Sequence, residues 1–196
     1  LFVHDEATPG LRPFGGASRW WLDKSLAALA ARIDAAGGQL TLRAGASADV
    51  LPALIAEIGA DSVFWNRRYQ KAERDLDGAL METLRAGGIS ISSFNGRLLN
   101  EPWQIETGAG GDYKVFTPYW KAVKARYRAP DALPAPTSLA GPDLASDTLS
   151  DWNLHPTRPD WADGLGATWT PGEAGAMERL SDFLDGPVNA YAEARN

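Results

Sequence analysis

The sequence contains no cysteine, which excludes disulfides and thiolate metal sites and fits a reducing cytosol. Histidine is nearly as scarce: His4 and His155 stand far apart, with no carboxylate at ligand spacing, so no metal site is expected. No Gly-x-Ser-x-Gly turn is present to expose a nucleophilic serine. No apolar run approaches the roughly 20 residues of a membrane helix, and no basic stretch leads into an apolar one as in a signal peptide. Positive charge is also short, with 19 Lys and Arg against 25 Asp and Glu and a net charge of −6. A surface that docks on phosphates normally carries a basic patch. Here Lys and Arg are dense only in Trp65–Arg74 and Lys114–Arg128. This stretch of protein is therefore not expected to be a nucleic-acid-binding face, and any DNA contact is expected elsewhere. There is no starting methionine.

What is present suits a globular α/β protein: 196 residues, 44% hydrophobic and 22% charged. Leu1-Phe2-Val3-His4 reads as the end of a buried strand. After a Gly/Pro loop, Ser18 is placed to cap a helix with Leu22, Leu26, Leu29 and Ile33 on one face, ended by Gly37-Gly38. Gln39–Arg43 reads as a strand, and Ser47 as the cap of a helix carrying Val50, Leu51, Leu54, Ile55 and Ile58. Ser62–Trp65 is the next strand, Lys71–Arg85 a third helix, and Ile89–Phe94 a fourth strand. The order β-α-β-α-β-α-β with short connections calls for a Rossmann-like parallel sheet flanked by helices. The abrupt opening on a strand, together with the absent methionine, leads to the expectation that the N-terminus is truncated.

Beyond the last strand, Thr117 and Pro118 predict a helix to about Tyr127. Residues 129–151, with Pro130, Pro134, Pro136 and Pro142 among Ala, Ser and Gly, have the composition of a linker. Thr170-Pro171-Gly172-Glu173 is a capping-box sequence before Ala176, Leu180, Phe183 and Leu184, and Gly186-Pro187 stops that helix. The chain stops at Asn196 within what reads as another helix, so the first helices of an unfinished all-α domain are expected over residues 152–196.

Gly108–Gly111 is not a dinucleotide fingerprint, because Tyr113–Phe116 follows it where a helix would have to open; it reads as a loop tip. Trp65–Asp75 is more informative. It lies where a parallel strand ends and a helix begins, the place where open α/β sheets put ligands. Its polar and charged residues read either as a ligand crevice or as a solvated helix start, with Glu73 and Asp75 favoured by the helix dipole. The eight tryptophans read first as packing residues, and second as stacking partners for a flat ligand.

Asn66-Arg67-Arg68-Tyr69, Glu73-Arg74-Asp75, Gly16-Ala17-Ser18-Arg19 and Tyr113-Lys114-Val115-Phe116-Thr117-Pro118-Tyr119-Trp120-Lys121 together resemble the N-terminal domain of the DNA photolyase/cryptochrome family. The resemblance implies an antenna domain over residues 1–128 without its first strand, a linker over 129–151, and the beginning of a helical FAD-binding domain over 152–196. It implies a deoxyribodipyrimidine photolyase, which repairs cyclobutane pyrimidine dimers in light using FAD. This stretch alone is not expected to be active, since the family's catalytic residues fall outside it. Within the family, Glu73 matches the acid that binds the pterin ring of a 5,10-methenyltetrahydrofolate antenna, although Ala72 stands where such members often have Asn. Deazaflavin-binding members carry acids where Arg68 and Gln70 stand here. Asn66 and Arg68 belong to the same crevice, and Arg19 matches a pocket-lining arginine. Tyr191, with Arg195, matches the start of the FAD site. The implied protein is a cytoplasmic monomer with no membrane contact, meeting damaged DNA through the helical domain that is missing here. A cryptochrome-type blue-light receptor without repair, and a stand-alone nucleotide-binding α/β module, are the alternatives.

Overall fold

The computed structural model describes residues 1–128 and 131–195; Ala129, Pro130 and Asn196, at the start of the expected linker and the end of the chain, lie outside them. In chain order the elements are β1 (Phe2–His4), α1 (Gly16–Ala35), β2 (Leu42–Ala44), α2 (Ser47–Ile58), β3 (Ser62–Asn66), α3 (Lys71–Ala86), β4 (Ser90–Phe94), α4 (Phe116–Arg126), α5 (Asp163–Thr168), α6 (Glu173–Leu184) and α7 (Tyr191–Ala194). Short 3-10 turns stand at Pro102–Gln104, Leu149–Trp152 and Pro187–Ala190. The strands form two parallel pairs, β1 with β2 and β3 with β4. Each pair is joined through a helix, as parallel strands require. The expected α/β class with parallel sheets flanked by helices is thus what the chain adopts.

Two compact units divide the chain, one of Leu1–Val50 with Pro136–Asn196 and one of Leu51–Ala135. In the first, β1 and β2 align Phe2 with Leu42 and His4 with Ala44. The core gathers Trp20, Leu26, Leu42, Leu154 and Ala162. Part of the proline-rich segment is tied down here. Leu42 donates its N–H to the Ser146 hydroxyl (2.9 Å), Ala44 donates to Asp147 (2.7 Å), and the Asp147 N–H returns to the Leu42 carbonyl (2.9 Å). This segment therefore satisfies polar backbone along one edge of β2. The Gln39 amide exchanges two hydrogen bonds with the Leu144 backbone, and the strand begins at Leu42 instead of Gln39.

Several helix starts differ from expectation. α1 opens at Gly16, because the Gly15 carbonyl already takes the Arg19 N–H at 2.9 Å, so Ser18 lies inside the helix. Of its anticipated apolar stripe, Leu26 is buried whereas Leu29 is exposed. Ser47 is the first residue of α2, its N–H bound by Asp5 at 2.7 Å. α6 carries no Thr170 cap; Gly172 precedes the helix at φ 107°, a conformation that favours glycine, and its carbonyl takes the Ala176 N–H. α4 starts at Phe116, so Pro118 sits in the first turn, where no amide hydrogen is required, and Thr117 does not cap.

In the second unit β3 and β4 pair along five residues each, from Ser62 opposite Ser90 to Asn66 opposite Phe94. Leu54, Ile55, Leu80, Leu84, Ile105 and Val123 are the buried apolar residues of this unit. The glycines at 108–111 form a turn, with the Gly110 N–H on the Thr107 carbonyl. Packing accounts for few of the tryptophans: Trp20 is buried, whereas Trp21, Trp103, Trp120, Trp161 and Trp169 are exposed, with Trp21 meeting Trp169 edge-on at 6.1 Å and Arg179 lying over Trp169 at 5.6 Å. Among the described residues no helix is long and apolar enough to cross a membrane.

Candidate functional site

The carboxyl end of β3 builds the most developed polar cluster of the second unit. The ladder runs one residue past the strand, with the Arg67 N–H on the Phe94 carbonyl at 2.9 Å. Residues 67–70 then cross to α3, whose first turn is accepted by the Gln70 carbonyl through the Arg74 N–H. Three long side chains leave this crossing, and each is engaged.

Arg67 donates from Nε to Glu101 (2.8 Å) and pairs with the same carboxylate through Nη2 (2.6 Å). It also donates from Nη1 to the Ser93 carbonyl (2.6 Å) and hydroxyl (3.0 Å), while its guanidinium lies over the Trp103 ring at 5.5 Å. Tyr69 donates its hydroxyl to Glu101 at 3.0–3.1 Å. Arg68 grips Asp77 of α3 through Nε (3.2 Å) and Nη2 (2.5 Å), a two-point pairing that fixes orientation as well as charge. The Glu101 side chain is 4% exposed. A carboxylate so buried must be matched by charge and by hydrogen bonds, and Arg67 and Tyr69 supply both. The hydrogen bond to Glu101 raises Arg67 above its ordinary pKa. Loss of hydration, followed by the same carboxylate, raises Tyr69. Both groups thus keep their protons near neutrality.

Asn66, Arg68 and Glu73 share this junction. The Asn66 side chain fills the space above Gly96, where a Cβ would stand 2.6 Å from its Cγ. Glu73 lies in the first turn of α3, near the positive end of the helix. Its Oε2 is buried and accepts no hydrogen bond from any described residue. A buried acceptor left without a donor is an unmet hydrogen-bonding demand.

Arg19 and Tyr191 belong to the first unit. Arg19 donates to Glu6 (2.9 Å) and to the Trp152 carbonyl (3.3 Å), beside the buried His4 ring, which stacks obliquely on Trp152 at 5.0 Å. Tyr191 opens α7 with its ring edge-on to Phe183 at 5.8 Å and its side chain half-exposed. Among the described residues no group of three His, Asp or Glu side chains could hold a metal.

The residue missed from sequence is Glu101, together with the Gln104 that caps its turn. Glu101-Pro102-Trp103-Gln104 forms a reciprocal cap, with the Glu101 N–H on the Gln104 side-chain oxygen at 2.8 Å and proline in the first turn. An acid three residues before Gln, followed at once by Pro, is a readable start signal.

Comparison with known proteins places these residues in context. Residues 1–137 match the family profile described as DNA photolyase. The deoxyribodipyrimidine photo-lyase of Agrobacterium fabrum is 45% identical over 186 residues, which make up 94% of this chain and 39% of that protein. Cryptochrome-1 of Arabidopsis thaliana is 28% identical over the whole of this chain and 29% of its own length. The crystal structure of a bacterial class III photolyase from Agrobacterium tumefaciens superposes with a TM-score of 0.89 at 43% identity, covering 98% of this chain and 40% of that one. The chain therefore spans about two-fifths of the length of these photolyases.

Proposed function

This chain belongs to the DNA photolyase family, and we propose that it is the antenna-domain portion of a deoxyribodipyrimidine photo-lyase that repairs cyclobutane pyrimidine dimers. The observation that carries the reading is the extended identity to the Agrobacterium fabrum enzyme, well above that to the cryptochromes. In this reading residues 1–128 are the antenna domain, 129–151 the linker and 152–196 the beginning of the FAD-binding domain. The complete protein is a cytosolic monomer that meets damaged DNA through that second domain. A cryptochrome-type light receptor is the second reading, favoured by the Arabidopsis match along the whole chain.

The residues present fit a folate antenna at the β3–α3 junction. The unpartnered Oε2 of Glu73 suits an N–H on the edge of a pterin ring. Asn66 adds an amide to the same junction, and Arg68, fixed on Asp77, places a guanidinium beside it. When bound, 5,10-methenyltetrahydrofolate supplies near-UV and blue absorption that the protein lacks. Arg19, in the first unit, is held by Glu6 and the Trp152 carbonyl. Tyr191 and Arg195 bring a phenol and a guanidinium, the donor chemistry that FAD phosphates need. The rest of the flavin chemistry belongs to the cofactor and the helical domain.

Titration of the folded protein with 5,10-methenyltetrahydrofolate tests the antenna assignment. Glu73→Gln replaces one acceptor oxygen with a donor, and affinity should fall at least about tenfold. Unchanged affinity in a folded Glu73→Gln sample would remove Glu73 from the site.

A further inference from the structure

Glu101 cannot meet a ligand itself: its side chain is 4% exposed, and its carboxylate is taken up by Arg67 and Tyr69. We propose that it is a positioning residue for the folate site, holding the crossing from Asn66 to Gln70 so that Glu73 is presented from a fixed helix start. The proposal rests on the antenna reading given above. Its basis is the way the crossing is anchored. Arg68 ties it to α3, through Asp77, within the same local stretch of chain. Arg67 and Tyr69 tie it across 34 and 32 residues to one carboxylate on the segment that follows β4.

That segment is itself secured. The Gln104 side chain accepts the Glu101 N–H, and the Glu101 carbonyl accepts the Gln104 N–H at 3.0 Å. The Asn95 side chain receives the N–H groups of Arg97 and Leu98 and donates to the Leu98 carbonyl. Glu101 thus joins two turns at the carboxyl ends of neighbouring strands. One turn carries Asn66 and leads to Glu73; the other carries Gly96, on which Asn66 rests. A buried, fully paired carboxylate of this kind does little for net stability compared with an apolar replacement, but it fixes one geometry.

The test uses protein from the complete reading frame and two readouts: affinity for 5,10-methenyltetrahydrofolate, followed by fluorescence, and amide hydrogen exchange over residues 66–73. Glu101→Gln keeps the side-chain size but removes the charge that orders Arg67. It should speed exchange over 66–73 about tenfold or more and weaken folate binding by a similar factor. Glu73→Gln should weaken binding and leave the exchange at the wild-type rate. That contrast separates a residue that positions from one that touches the ligand. If Glu101→Gln does not fold, Tyr69→Phe decides, with about a threefold loss of affinity and faster exchange expected. Wild-type exchange and wild-type affinity in a folded Glu101 or Tyr69 variant would overturn the proposal. Failure of the wild-type protein to take up folate would instead overturn the antenna reading. The exchange rates would still report whether Glu101 holds the crossing.

Discussion

Replacing Asp5 with Asn is expected to destabilise the protein by about 1–2 kcal/mol at pH 7, and to remove a defined part of its acid sensitivity. Asp5 follows β1 and works as a small hub. Oδ1 accepts the N–H groups of Ala7 (3.1 Å) and Thr8 (2.8 Å), and Oδ2 accepts the Thr8 hydroxyl (2.7 Å) and the Ser47 N–H (2.7 Å). Partial burial opposes ionisation, but the hydrogen bonds from Thr8 and Ser47 outweigh it and hold the carboxyl at about 2, against an ordinary 3.8. At about 1.4 kcal/mol per pH unit, that depression corresponds to roughly 2.4 kcal/mol of linkage. Solvent screening of a side chain that is not fully buried brings it to about 1–2 kcal/mol. Because the folded value is depressed, the contribution is complete above about pH 4 and is lost as pH falls through about 2. Urea unfolding of wild type and Asp5→Asn between pH 2 and 7 measures it. The stability gap should be widest at pH 5–7 and narrow by more than half at pH 2. An equal gap at both ends would refute the assignment of the effect to the carboxylate charge.

Three perturbations at the β3–α3 junction have defined outcomes. Gly96→Ala puts a methyl group into the Asn66 side chain and should cost about 1–3 kcal/mol by thermal or urea unfolding, with folate affinity falling as Asn66 is displaced. Tyr69 should titrate above the ordinary tyrosine value of 10, so a Tyr69→Phe difference titration at 295 nm should place the missing phenol at the alkaline end of the profile. Glu73→Gln should weaken folate binding and cost no more than about 1 kcal/mol of stability, the helix-dipole contribution, because its Oε2 has no hydrogen-bond partner to forfeit.

The alternation of strands and helices was legible because the apolar runs and the Gly-Gly stops are local signals. Gly37-Gly38 and Gly87-Gly88 do close their helices, with Gly38 bonding back to Ile33 and Gly88 to Arg85. Helix starts were less legible, because backbone partners elsewhere in the chain decide them. Ser47 looked like a cap until Asp5, 42 residues away, took its N–H, and Gly15 began α1 before Ser18 could. The location of the candidate site was readable from its place at a strand end. Its organisation was not, since Glu101 reaches Arg67 across 34 residues and nothing in local pattern couples them. The composition of residues 129–151 is that of a linker. The pairing of Ser146 and Asp147 with β2, and of Leu144 with Gln39, shows that part of it is tied down.

Light-dependent repair of a thymine-dimer oligonucleotide, by protein expressed from the complete reading frame, tests the central claim most directly. Repair under near-UV and blue light that stops in the dark is expected, with a fall in its efficiency near the folate absorption band in Glu73→Gln. Bound flavin with no repair in either condition would contradict it and assign the protein to light signalling instead.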